Sequence, residues 1–297
     1  MLWEPFPLCR NGSRKGFYMR FFLSTTAAAG LVAAMAASAA SAQDVASSNW
    51  TGFYVGGQLG YNWQPTDGDE VVNFDRNRDG NFGDAFPNFS PGFCGGAPTT
   101  ARPTSGCSKD NDSTAWKLHA GYDYQFGDTS GPVVGLIAEY GKSYLYDNVT
   151  AFSTTPAVYK MQAKLKSDGA IRARAGYSFE TGTLIYGTGG AAYGKIRNSF
   201  SMSNTVNSAT VNDPNKNAWG WTYGGGIEQK IGKFSVGALY TFTALKNNDS
   251  TVNIGSLAGV TPATNPFIAQ NAGGTDLQRS FSKFAFHSVR ATVSYRF

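Results

Sequence analysis

Residues 43–297 read as one all-β unit, an eight-stranded antiparallel up-and-down transmembrane β-barrel with short periplasmic turns and four long extracellular loops. Three observations predict it. Eight segments alternate an apolar or aromatic side chain with a polar or small one, which is the period of a strand. The connections between them are long and short by turns. The last segment, Lys283 to Phe297, alternates up to a terminal aromatic, and a barrel that closes on such a strand leaves no edge.

Composition agrees. The chain has 36 glycines, 14% aromatic residues and only 15% charged ones, a balance that suits strands rather than amphipathic helices or a disordered chain. A mean hydropathy of −0.27 argues against helical spans only, because an alternating strand averages near neutral while one face is wholly apolar. The formal charge of +5 comes largely from Arg10, Arg14, Lys15 and Arg20, which lie before Gln43 with a single Glu4. Without them no basic field of the kind that binds nucleic acid remains.

Met19-Arg20-Phe21-Phe22-Leu23 opens a basic start, an apolar core and a small-x-small ending at Ala40-Ser41-Ala42, the pattern of a secretory signal peptide over 19–42. Cleavage is predicted before Gln43. Residues 1–18 do not fit a leader, so Met19 is the expected start and 1–18 a spurious extension. The exported chain then keeps Cys94 and Cys107, an even pair in an oxidising compartment, which predicts a structural disulfide.

The first strand is expected over 50–63, with Phe53, Val55, Leu59, Tyr61 and Trp63 on one face and Tyr54, Gln58 and Asn62 on the other. Such a strand, tilted about 40°, rises roughly 30–35 Å, enough to cross an outer membrane. Aromatic residues at both ends fit interfacial girdles. The pattern recurs over 114–126, 133–146, 161–179, 183–196 (the least clear, being Gly-rich), 218–231, 234–245 and the last strand. In the fourth, Ala163, Leu165 and Ile171 are expected outward, with Lys164, Lys166, Asp168, Arg172 and Arg174 inward. The long connections are about 64–113, 147–160, 197–217 and 247–282; the short ones are 127–132, 180–182 and 232–233. Sorting by parity is the mark of an up-and-down barrel.

The stretches NWTGFYVGGQLGYNW (49–63) and SVRATVSYRF (288–297) resemble the opening and closing signatures of the small outer-membrane β-barrel family common in alphaproteobacteria, the RopB-like proteins. The resemblance covers essentially all of 43–297 and departs in the long first loop. It implies an integral, non-enzymatic surface protein of a Gram-negative outer membrane. It also implies that the C-terminal strand, with Tyr295 and Phe297, is the signal read by the barrel-assembly machinery.

The inward positions predict a lumen charge network of Lys117, His119, Asp123, Glu139, Asp168, Arg172, Arg174, Glu228, Lys230, Arg290 and Arg296. An eight-strand barrel is just wide enough to be filled by side chains, and buried charges of both signs should pair. The reading is a salt-bridged plug; the alternative is a narrow, low-conductance pore. In the first loop, Asp75, Asn77, Asp79, Asn81 and Asp84 alternate as in half of a Ca²⁺ loop, but Phe86 stands where a bidentate Glu is expected. The competing reading is an ordinary turn-rich segment. No G-x-S-x-G or HExxH motif occurs, and the mature chain has only His119, expected inward, and His287, expected outward. Envelope integrity and loop-mediated contact with ligand or host form the expected role, with outer-membrane lipid and the assembly machinery as partners and a monomeric state. A lipid-modifying enzyme stands well behind.

Overall fold

The computed structural model describes residues 49–65, 70–86, 89–90, 110–153, 157–247 and 250–297. The leader, the expected start at Met19, and Cys94 and Cys107 lie outside these residues. In chain order the strands are β1 (Gly52–Trp63), β2 (Val72–Asp75), β3 (Phe89–Ser90), β4 (Ser113–Gln125), β5 (Gly131–Ser143), β6 (Tyr146–Ser153) and β7 (Ala157–Ser178), then β8 (Thr183–Met202), β9 (Asn207–Val211), β10 (Asn215–Ile231), β11 (Phe234–Lys246), β12 (Thr251–Ser256), β13 (Thr275–Arg279) and β14 (Lys283–Arg296).

Eight of them form the barrel. β1, β4, β5, β7, β8, β10, β11 and β14 pair in that order, each antiparallel to the next. β14 returns to β1 from Tyr54↔Arg296 to Trp63↔His287 and closes the sheet. The short connections turn tightly, two of them through Gly182 (φ 75°) and Gly232 (φ 60°), where the left-handed backbone disfavours a side chain.

The faces are inverted relative to a soluble sheet. Phe53, Leu59, Leu118, Ile171 and Trp219 are 63–70% exposed, whereas Lys117, Arg172, Glu139 and Arg290 are at most 6% exposed. Apolar side chains outside and charges inside fit a solvent of hydrocarbon. Trp50 departs from the expected girdle: it is fully buried and tucks beneath Arg296, whose guanidinium lies 4.7 Å from its ring centre.

β7 corrects the reading of its own alternation. The register against β8 shifts between Leu165 and Ser167, a β-bulge at Lys166. One extra residue reverses which face the earlier part of the strand presents. Ala163 and Leu165 therefore point inward and are fully buried, while Lys164 stands over the Tyr146 ring at 4.6 Å and Lys166 is exposed. Asp168, Arg172 and Arg174, beyond the bulge, face the lumen as expected.

The described parts of the four long connections are not open loops. β2, β13, β12 and β9 form a separate four-stranded sheet, and β6 pairs with the outer part of β7 from Tyr146↔Lys164 to Ser153↔Ala157. Between them lies an apolar core that draws on all four connections, including Phe74, Phe86, Val149, Met161, Val252 and Leu277. Each large side chain so buried contributes about 1.5–3 kcal/mol, which turns long loops into a folded cap on the extracellular end.

Candidate functional site

Three layers fill the lumen. At the periplasmic end Trp50, Val133, Leu184, Tyr186 and Leu239 pack together. At the extracellular end the layer includes Leu165, Ile196, Leu245, Phe284 and Phe286. Packing across the lumen is tight there: a side chain at Gly194 would come within 2.4 Å of Leu245 Cδ1 and 3.0 Å of Leu165 Cδ1. The charges lie beneath the extracellular layer and among the periplasmic residues, where Arg174 stands 4.8 Å over the Tyr186 ring and Glu228 lies across from Leu184.

They divide into two groups. Around Glu139, Lys117 Nζ approaches Oε1 at 3.1 Å, Arg290 Nη1 approaches Oε1 at 3.0 Å and Arg172 Nη2 approaches Oε2 at 2.7 Å. Lys117 also pairs with Asp168, whose other oxygen accepts from Ser143 Oγ at 2.7 Å. In the second group Arg174 pairs with Asp123 through a fork, its Nε donating to Oδ1 at 2.7 Å, and reaches Glu228 at 2.9 Å through Nη1. Arg296 joins Asp123 at 2.6 Å and donates to the Trp50 carbonyl at 2.6 Å. Tyr54 lies under both guanidiniums, 4.9 Å from Arg174 and 4.6 Å from Arg296, adding cation–π contact. Each buried carboxylate thus meets at least one cation, the condition under which buried charge is tolerated.

Two of the expected residues stand apart. Lys230 does not enter either group: it is half-buried at the periplasmic end, and its ammonium donates to the Asn49 carbonyl. Its strand end lies too near the turn to reach the carboxylates. His119 is in the lumen but pairs with neutral groups, Nε2 with Ser294 Oγ at 2.8 Å and Nδ1 with Gln58 Nε2 at 3.1 Å. Gln58 Nε2 in turn donates to Glu139 Oε2 at 3.2 Å. His287 faces outward in the upper girdle, stacked on Trp63 at 5.2 Å and sharing a 2.7 Å hydrogen bond with the Tyr240 hydroxyl.

The acidic stretch of the first connection is occupied by its own backbone. Asp75 accepts from the amides of Asp79 at 3.1 Å and Gly80 at 2.8 Å, Asp79 from that of Asn81 at 2.8 Å, and Asp84 from that of Arg76 at 2.7 Å. Asn77 Oδ1 accepts from the Asp79 amide at 3.1 Å. These are the local side-chain turns that Asp and Asn favour. Among the described residues no group of three or more His, Cys, Asp or Glu side chains is placed to hold a metal ion.

A further charge cluster escaped the sequence reading. Arg279 of β13 donates from Nε to Glu70 Oε1 at 2.7 Å and from Nη1 to the Asp147 carbonyl at 3.2 Å, and it pairs with both carboxylates through Nη2. Burial pushes the Glu70 carboxyl up to about 7; Arg279 opposes the shift and Asp147 adds to it. Burial works against the Arg279 charge, but Asp147 and Glu70 raise its pKa overall. The available signal lay in the short alternating runs at 70–75, 251–256 and 275–279, strand-like pieces inside segments otherwise rich in turn residues.

Phe297 closes the seam, its amide donating to the Phe53 carbonyl at 3.0 Å and its ring meeting Tyr295 edge-on at 5.2 Å.

Comparison with known proteins agrees with this architecture. The family model described as outer membrane protein beta-barrel domain matches residues 29–297. The 31 kDa outer-membrane immunogenic proteins of Brucella melitensis and of Brucella suis are each 26% identical over 277 residues, covering 92% of this chain and 95% of theirs. Among solved structures, OprG from Pseudomonas aeruginosa is similar over 84% of this chain and 98% of its own, with 11% identity and a TM-score of 0.41. Closed barrel, apolar outer face and family match together identify the chain as a member of the outer membrane β-barrel protein family, of the alphaproteobacterial kind its terminal motifs resemble, resident in the cell outer membrane.

Proposed function

We propose that this protein is a structural, surface-presenting barrel that does not conduct: the lumen is a plug, and the folded cap is the part it offers to the exterior. The observation that carries this reading is the filled lumen, in which the charges are paired and an apolar layer closes the extracellular end. A water path needs polar groups along its whole length, and Phe284, Phe286 and Leu245 interrupt it. The relatives' designation as immunogenic fits a cap reachable from outside.

Purified protein in planar bilayers is expected to show no steady conductance; reproducible unitary steps would establish the pore instead. The His119–Ser294 pair is read as structural, since both side chains are buried and hydrogen-bonded to each other inside the lumen. Lipid A mass spectra should therefore be identical with and without the gene. Residues 75–84 are read as a self-capped turn, so titrating the whole protein with Ca²⁺ is expected to give no binding heat. We assign recognition by the assembly machinery to the strand ending at Phe297, and a monomer as the working state.

A further inference from the structure

Every Asp and Glu within the barrel strands, namely Asp123, Glu139, Asp168 and Glu228, is turned into the lumen. Cations are distributed differently. Lys142, Lys166, Lys195 and Arg197 are exposed on the outer face, at the extracellular ends of β5, β7 and β8. Register brings them together. Tyr140 and Tyr193 both lie opposite Gly169 of β7, and Lys142 and Lys195 follow two residues further along the same face of their strands. Lys166 is the bulge residue between them, and Lys164 stands directly across from Arg197. Like charges facing each other across a ladder repel, and among the described residues no carboxylate pairs with any of these five. The described residues supply no anion to this arrangement.

Directly beneath, towards the membrane centre, the same face is hollowed into a groove of about 800 Å³. Small residues make its base: Ala120 lies opposite Ala138, and Ala191 follows across Ile171. Tyr140 and Trp219 stand at its sides. A side chain at Gly169 would meet the Tyr140 ring at 2.9 Å, so the ring lies down over β7, where its hydroxyl donates to Ser167 Oγ at 2.9 Å in the bulge. The bulge that raises Lys166 thus also fixes one wall of the groove.

We propose that this face binds one phosphorylated, multiply acylated glycolipid of the outer leaflet, its phosphates on Lys142, Lys166, Lys195 and Arg197 and an acyl chain along the groove. The cations span three adjacent strands, about 10 Å at the usual ladder spacing, a wider charge than one phosphodiester uses. They occupy the extracellular end, where the glycolipid leaflet lies. The proposal is independent of whether the lumen conducts.

Native mass spectrometry of the folded protein in detergent micelles tests it, with diphosphoryl lipid A and phosphatidylglycerol supplied at equal concentration. Lipid A is expected to be retained at least about tenfold over phosphatidylglycerol. The variant K142Q/K166Q/K195Q/R197Q should lower lipid A retention by about tenfold or more, since each cation at a membrane surface adds to anion attraction. K142Q/K195Q, which leaves the bulge untouched, should give a smaller loss in the same direction. Ala138→Phe, which fills the groove and leaves every charge in place, should also reduce it. Heat-modifiable gel mobility confirms folding of each variant. Equal retention of the two lipids, or lipid A retention unchanged in both charge variants, would overturn the assignment.

Discussion

Arg279 and Glu70, 209 positions apart in the chain, meet at 2.7 Å and tie the fourth extracellular connection to the first. Asp147, from the second connection, completes the cluster. One guanidinium thus holds three of the four extracellular segments together, outside the membrane and away from the lumen charges.

Removing that guanidinium leaves two buried carboxylates facing each other. Arg279→Ala is expected to cost about 3–5 kcal/mol of cap stability, the usual consequence of orphaning a buried charge. Limited proteolysis should cut the cap of this variant quickly while the barrel keeps its heat-modifiable mobility. Equal protease resistance in wild type and variant would mean that the apolar core alone holds the cap.

The same cluster predicts a pH dependence. The folded Glu70 carboxyl sits at about 7, above its ordinary 4.5, so the folded cap binds a proton that the unfolded one releases. Its contribution to cap stability is complete below about 4.5 and is lost as pH rises through about 7. Hydrogen exchange in the cap, corrected for intrinsic rates, should be slower at pH 5.5 than at pH 8. Glu70→Gln should flatten that difference; a profile of the opposite slope would contradict the assignment.

In the lumen, Glu139 is the shared partner of Lys117, Arg172 and Arg290. Glu139→Ala leaves Lys117 with Asp168 but takes their carboxylate from Arg172 and Arg290, and a loss of about 3–5 kcal/mol is expected. Urea unfolding in lipid vesicles measures it. The double variant Glu139→Ala/Arg172→Met should recover part of the loss, because it removes charge of both signs.

Phe284 and Phe286 test the sealing layer. Each change to Ala is expected to cost about 3–5 kcal/mol if the site does not collapse. The double variant should also open the extracellular half of the lumen, so bilayer recordings are expected to show small conductance steps absent from the wild type. Silence from a folded double variant would move the seal to the charged layer.

Deleting Lys166 removes the bulge and restores uninterrupted alternation along β7. Ala163 and Leu165 would keep their inward face and Lys164 its outward one, because dropping the extra residue puts Leu165 on the same alternation as Asp168. The deletion is therefore expected to keep the folded, heat-modifiable form on gels, as is Lys166→Gln; loss of folded barrel in the deletion alone would mean that the extra residue is itself needed.

How much was legible beforehand follows from the range of each interaction. Alternation is local, so the strand segments, the outward Phe53, Leu118 and Trp219, and the inward Lys117, Glu139 and Arg290 could be read from spacing alone. Connection length by parity is also a property of the chain, and it carried the up-and-down order. A bulge is one residue with no compositional mark, so spacing alone places Ala163 and Leu165 outward and carries no trace of the face reversal at Lys166. The cap core and the side chains packed against it join Phe74, Val149, Val211 and Leu277 from four separate connections, and only closure of the barrel brings those connections side by side.

By itself the sequence determined an inside-out barrel: a two-residue period with aromatics on one face leaves hydrocarbon as the solvent that satisfies it. Which lumen charges pair, why Lys230 stands aside and where Arg279 reaches were decided by tertiary structure alone. Partners across a lumen or between connections depend on stagger and strand ends, quantities that arise when all eight strands register against one another and that no single segment encodes.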